Sequence, residues 1–132
     1  MIGIVVVSHS HKLAKAAIEF VSEMQFEDFN LMSCAGINDG IDFGTDPMLI
    51  KSTIEKADSG SGVLVICDLG SSIMNTEMAI NFLDLELQAK TLIADAPFLE
   101  GLLVAVTSNS FEINLDDLKT KVEKESRTKK IE

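Results

Sequence analysis

Tryptophan and tyrosine are absent from this 132-residue chain, and phenylalanine supplies all of its aromatic side chains. Because 46% of the residues are nonetheless hydrophobic, the core must be mainly aliphatic, as in a folded domain and unlike a disordered chain. No apolar run reaches the roughly 18 residues that a membrane span requires. The apolar start MIGIVVV lacks the basic region and cleavage site of a signal peptide. We therefore expect a single cytoplasmic domain over residues 1–132, with no membrane span.

Cysteine and positive charge are also scarce. Cys34 and Cys67 are the only cysteines, they lie in apolar runs, and neither belongs to a CxxC pair, so we predict that both are reduced and buried. Together with two histidines they do not make a zinc site, and we expect no metal. The net charge of −10 disfavours nucleic acid and favours a basic protein surface as partner, although ordinary acidic solubility would explain it equally well.

Most of the cations that the chain does have lie at its end. Residues 119–132 hold six of the eleven lysines and arginines. A charged helix is predicted there, over about residues 115–130. Such a basic helix is either a solvated face or an interaction surface.

Several catalytic motifs are missing. There is no GxxxxGK[ST], which excludes a P-loop nucleotide site, and no GxGxxG after the first predicted strand, which disfavours a dinucleotide-binding fold. The GxSxG elbow of many hydrolases is absent as well. A chain with so little catalytic equipment is better suited to holding and passing on a group than to being a complete enzyme. We expect it to bind no cofactor itself.

Apolar, β-branched runs alternate with helical patterns along the chain. The predicted strands are Ile2 to Val7, Asn30 to Ala35, Val63 to Cys67 and Thr91 to Ala94. Helices are predicted after the N-cap Ser10, from Pro47 to Ala57 with Thr45 or Asp46 as its cap, and from Pro97 to Val106. A further helix is predicted after the segment 68–72, ending at about Leu83. This alternation predicts an α/β fold: a three-layer α/β/α domain around a doubly wound, mostly parallel sheet of four or more strands.

Each predicted strand ends in small, polar or acidic residues, which is where ligands gather in parallel sheets. The only histidines, His9 and His11, end the first strand. A phosphoryl group on His9 would face the amides at the start of the next helix, and Asp68 could accept the other ring N–H. A plainer interpretation makes His9 a cap or surface residue and Asp68 the cap of the helix that follows it. His11 is interpreted as a solvated helix residue.

The runs IVVVSHS, AGI with GTD, DLGSS and AP..EG, in this order at successive strand ends, resemble one family. From Met1 to about Ser110 the chain is similar to the mannose-type IIA domain of the bacterial phosphoenolpyruvate-dependent phosphotransferase system, and most of all to the domains that serve dihydroxyacetone kinase. The resemblance implies that His9 carries a phosphoryl group and that Asp68 orients its ring. It further implies a phosphoryl-site surround made of Ser10, Gly36, Gly44, Thr45, Asp46, Gly70, Ser71 and Ser72.

The resemblance also implies partners. HPr would donate the phosphoryl group, and a separate kinase subunit holding Mg-ADP would accept it for dihydroxyacetone bound on a third subunit. A homodimer is expected. Two other functions stay open on the residues alone: a relay to the IIB component of a sugar permease, or a non-catalytic binding module in which His9 only caps a helix. His11 is a second imidazole where the family leads us to expect a small or basic residue.

Overall fold

The computed structural model describes all 132 residues. One sheet contains four parallel strands, β1 (Gly3–Ser8), β2 (Leu31–Ala35), β3 (Val63–Cys67) and β4 (Thr91–Ile93), in the order β2-β1-β3-β4. The helices are α1 (His11–Ser22), α2 (Pro47–Ala57), α3 (Gly70–Asn81), α4 (Leu85–Gln88), α5 (Phe98–Ser108) and α6 (Leu115–Glu125). The predicted doubly wound α/β architecture is confirmed.

The central strands are buried on both faces because their apolar side chains alternate between two cores. Ile4 and Val6 of β1 belong to the core beneath α1, α5 and α6. Val5 and Val7 belong to the core beneath α2 and α3. This explains why β1 and β3 read as unbroken apolar runs: neither face meets water.

The strand order reverses between β1 and β3, since the chain goes from β1 to β2 on one side and then returns to β3 on the other. In register, Val7 of β1 lies opposite Cys67 of β3. The residues that follow, His9 and Asp68, therefore leave the sheet side by side at the switch point, where α/β folds place their ligands.

Helix starts follow the predicted capping residues. Ser10 accepts a hydrogen bond from the backbone N–H of Leu13 and begins α1, and Asp46 does the same for Met48 at the start of α2. One short helix was not predicted. The third helix ends at Asn81, not near Leu83, and α4 begins directly afterwards because Asp84 accepts the N–H of Leu87.

The basic end of the chain packs back on the domain. Arg127 Nη2 lies 3.1 Å from Asp95 Oδ1, and Lys130 Nζ lies 3.2 Å from Glu100 Oε2. Glu123 of α6 also accepts the backbone N–H of Asp95 at 2.7 Å. The predicted charged helix thus anchors the β4–α5 turn. No helix of the chain is both long and apolar enough to cross a bilayer.

Candidate functional site

The backbone at His9 is fixed by glycines of the β2–α2 loop. The N–H of Gly44 donates to the carbonyl of His9 at 3.0 Å, and the N–H of Gly36 donates to the carbonyl of Ser8 at 3.1 Å. Gly36 has φ +74° and Gly44 has φ +144°, where side chains are disfavoured, so the loop conformation that brings these two N–H groups to β1 favours glycine at both positions. Two residues of the predicted surround therefore act on the backbone beside the ring.

The carboxylate of Asp68 lies at the centre of the site and accepts five hydrogen bonds from four residues. Oδ1 accepts from Ser72 Oγ at 2.6 Å, from the N–H of Leu69 at 2.7 Å and from His9 Nδ1 at 3.0 Å. Oδ2 accepts from Ser8 Oγ and from the N–H of His9, both at 2.9 Å. Because Leu69, not Asp68, is the N-cap of α3, the interpretation of Asp68 as a simple helix cap is wrong.

This network fixes the tautomer of His9. An ionised carboxylate can only accept, so the proton on the ring lies on Nδ1, which faces Asp68. Ser72 Oγ lies 3.1 Å from the same nitrogen and donates its own proton to the carboxylate. Nε2 is left with its lone pair, which accepts from the hydroxyl of Ser71. A nitrogen in this state is a nucleophile at neutral pH.

The electrostatics of Asp68 agree with an ionised carboxylate. Its burial opposes the charged form, but the hydrogen bonds from Ser72, His9 and Ser8 outweigh burial and hold the pKa of Asp68 below its ordinary value. Hydrogen bonds to a charged acceptor are the strong ones, and here all are directed at one group. Asp68 therefore stays charged and holds the imidazole without competing for its role as nucleophile.

The ring is partly accessible, with 23% of the His9 side chain exposed against 8% for Asp68. The exposed edge carries Nε2 and Ser71, whereas Nδ1 faces the interior with Asp68 and Ser72. A group arriving from solvent can therefore reach Nε2 but not Nδ1. Within the predicted surround, Ser71 is placed at the reactive nitrogen and Ser72 on the orienting side.

The other residues of the predicted surround cap or begin helices or hold the neighbouring loop, and none of them hydrogen-bonds to the ring of His9. Thr45 accepts a hydrogen bond from Asn75 of α3 at 2.6 Å, and Asp46 and Ser10 cap helices. Gly70 is the exposed first residue of α3.

His11 is exposed, as predicted, and its ring lies against Gly40, where an added Cβ would come within 3.0 Å of it.

Two residues at the site, Ser8 and Asn75, were not predicted as site residues from the sequence. Ser8 is fully buried, yet it ends a strand whose other members are apolar or glycine, and that contrast is the signal that could have revealed it. Asn75 ties α3 to the loop through Thr45, which no spacing in the sequence indicates.

Neither cysteine makes a hydrogen bond to His9 or Asp68. Burial raises the pKa of the Cys67 thiol to about 11 and raises that of Cys34 as well, so both are neutral thiols, free of a disulfide. No three His, Cys, Asp or Glu side chains come together in a group that could hold a metal ion.

A doubly wound α/β domain that presents a carboxylate-oriented histidine at its switch point is suited to carrying a group on that histidine. The family model described as the PTS system fructose IIA component, EIIA-man, matches residues 3–119. The chain belongs to this family.

Two of the relatives that the chain matches are phosphoryl donor subunits of the same kind of kinase. The chain is 37% identical over 109 residues to the PEP-dependent dihydroxyacetone kinase 2, phosphoryl donor subunit DhaM of Listeria innocua, covering 83% of this chain and 86% of the relative. It is 33% identical over 118 residues to the phosphoryl donor subunit DhaM of Escherichia coli K12. That match covers 88% of this chain but only 25% of the relative, so the chain spans a quarter of the Escherichia coli protein.

A solved structure has the same fold. The crystal structure of unknown function protein EF1359 superposes with a TM-score of 0.81 at 30% identity and covers 91% of each chain.

Proposed function

We propose that this chain is the phosphoryl donor subunit of a phosphoenolpyruvate-dependent dihydroxyacetone kinase and that Nε2 of His9 carries the phosphoryl group. The observation that supports this most directly is the His9–Asp68 pair, which keeps a proton on Nδ1 and a lone pair on Nε2 at the accessible edge of the ring. The DhaM relatives supply the substrate, since dihydroxyacetone kinase is what their names state.

The transfer proceeds in two displacements. The lone pair of His9 Nε2 attacks phosphorus on the phosphohistidine of HPr, and the donor's P–N bond breaks with its electrons returning to the donor ring. An oxygen of ADP, bound with Mg²⁺ on the kinase subunit, then attacks the same phosphorus, and the Nε2–P bond breaks. Throughout, Asp68 keeps the proton on Nδ1, so His9 leaves as neutral imidazole and not as an imidazolate anion.

The remaining parts of the proposal concern the setting of the reaction. We place it in the cytoplasm, where the free thiols Cys34 and Cys67 would stay reduced. We also expect a homodimer. The net charge of −10 favours a donor with a basic docking surface, because opposite surface charges speed encounter.

The decisive experiment is phosphorylation with purified phosphoenolpyruvate, enzyme I and HPr. The expected product carries one acid-labile, alkali-stable phosphate, detected by intact mass and by ³¹P NMR. His9→Ala should abolish labelling. His11→Ala is the matched control, because it removes the other imidazole from the same turn and should label normally.

A chase identifies the acceptor. The labelled protein should lose its phosphate to ADP on the nucleotide-binding kinase subunit and keep it when offered a IIB permease component. Transfer to IIB would replace dihydroxyacetone kinase with a sugar permease as the destination. Complete lack of labelling of the wild-type chain would refute the carrier function itself.

A further inference from the structure

The hydroxyl of Ser8 connects the backbone of the β1–α1 turn to the carboxylate of Asp68. Ser8 is the last residue of β1 and has 0% exposure. Its hydroxyl donates to Asp68 Oδ2 at 2.9 Å and accepts the backbone N–H of Ser10 at 3.1 Å. The hydroxyl makes no hydrogen bond to the ring of His9, so Asp68 is the group through which it is connected to the ring.

Oδ2 of Asp68 depends on few donors. Only the hydroxyl of Ser8 and the backbone N–H of His9 reach it, whereas Oδ1 receives three hydrogen bonds, including the one from the ring. Ser8 is thus the only side chain on Oδ2. Without it, half of the carboxylate would keep a single partner in a site with little access to water.

Rotation of the carboxylate about its χ2 bond is limited by what each oxygen contacts. A donor on Oδ2 fixes the plane of the carboxylate and therefore the direction in which Oδ1 faces Nδ1 of His9. A hydroxyl that donates to the charged form also opposes protonation of the acid.

We propose that Ser8 is a positioning residue for phosphoryl transfer, whose buried hydroxyl keeps Asp68 ionised and aimed at Nδ1 of His9. The transfer step to which this contributes rests on the proposed function, but the effect of Ser8 on Asp68 does not. The hydrogen bond from Ser8 is one of those that lower the pKa of Asp68, in agreement with this role.

The groups that face Asp68 limit what else could set its ionisation. His9, from the β1–α1 turn, is the only basic side chain that contacts it, and Cys67, from β3, is a neutral thiol. Ser72, from α3, contributes a second hydroxyl, but it also lies 3.1 Å from the ring nitrogen. Removing the hydroxyl of Ser8 therefore changes the surroundings of Asp68 without removing a hydrogen-bond neighbour of the ring.

The test is Ser8→Ala, with two readouts. The first is the titration of the Asp68 carboxyl followed by ¹³C NMR, whose midpoint should rise by about one to two pH units when one of five donors is lost. The midpoint rises because losing a donor to the charged form makes protonation of the acid easier. The second is the initial rate of phosphorylation by HPr at neutral pH, which should fall because the carboxylate then holds the ring of His9 less firmly.

Thr91→Val is the matched control. Thr91 has another buried strand hydroxyl, at the opposite end of the sheet, and it donates to Leu87 at 2.8 Å without reaching the site. It should lower thermal stability and leave both readouts unchanged. An unchanged Asp68 midpoint in Ser8→Ala, or an equal shift in Thr91→Val, would overturn the proposal. If the wild-type chain is not phosphorylated at all, the proposed function fails, and the carboxyl titration still decides the role of Ser8.

Discussion

Replacing Asp68 with Asn removes the negative charge from the centre of the site while keeping the shape of the side chain. The carboxylate accepts from two backbone N–H groups, one on each oxygen: His9 on Oδ2 and Leu69 on Oδ1. An amide has only one accepting oxygen, so whichever way Asn is turned, its NH₂ faces one of these donors. The ring of His9 then either loses its charged partner or accepts from the amide and carries its proton on Nε2, where it cannot act as a nucleophile.

The magnitude follows from the hydrogen bonds that are lost. A hydrogen bond to a charged partner contributes about 1.5 to 3 kcal/mol. If about 2 to 3 kcal/mol of this orients the ring, Asp68→Asn should slow phosphorylation of His9 roughly 30- to 150-fold. The assay is the initial rate of phosphate incorporation from phospho-HPr, with ¹⁵N NMR of the His9 ring to identify the tautomer.

Asp95→Asn provides the matched control, because Asp95 is a highly exposed carboxylate after β4 whose partner is Arg127. Exposed pairs of this kind contribute about 0 to 1 kcal/mol, and the labelling rate should not change. A labelling rate for Asp68→Asn within about twofold of the wild type, with the proton still on Nδ1, would refute the reasoning that the charge orients the ring.

Three further results are expected. Because folding lowers the pKa of Asp68, the charged carboxylate stabilises the protein above the ordinary carboxyl pKa, and this contribution is lost as pH falls through the folded pKa. The difference in unfolding free energy between wild type and Asp68→Asn, measured by urea titration, should therefore shrink below about pH 4. Gly36→Ala should cost about 1 to 2 kcal/mol, because φ is +74° and the new Cβ would lie 3.1 Å from the carbonyl oxygen of Asp42; an unchanged urea midpoint would contradict this. Asp46→Ala removes the cap of α2 and should cost about 1 kcal/mol by the same measurement, whereas a gain in stability would show that the cap is not stabilising.

Much of the fold could be predicted from local patterns. Strands buried on both faces give unbroken apolar runs, and β1 and β3 were recognisable for that reason. Ser10 and Asp46 marked helix starts because their side chains satisfy free N–H groups within the same turn. The four-residue α4 is too short to show a helical period, so it was not foreseen.

The site was predictable only in part, because its contacts cross the sheet. His9 and Asp68 are 59 positions apart, and they meet because β1 pairs with β3, a matter of strand order that no local pattern specifies. The family resemblance supplied that pairing in advance. It did not distinguish Ser71 at Nε2 from Ser72 at Nδ1, because α3 turns these consecutive residues toward different edges of the same ring.

A carrier must have no group free to activate water once it holds its phosphoryl group, and the phosphorylated site of this chain would have that property. A general base needs an accepting atom near the reacting centre, but the carboxylate of Asp68 is occupied by five donors on the side of the ring away from solvent. Once Nε2 carries the phosphoryl group, the ring has no lone pair left with which to act as a base, and its neighbour Ser71 offers only a hydroxyl. On the proposed function, the phosphoryl group would therefore wait on His9 until a partner brings its own acceptor, and it is this division of labour that lets so small a domain serve as a relay.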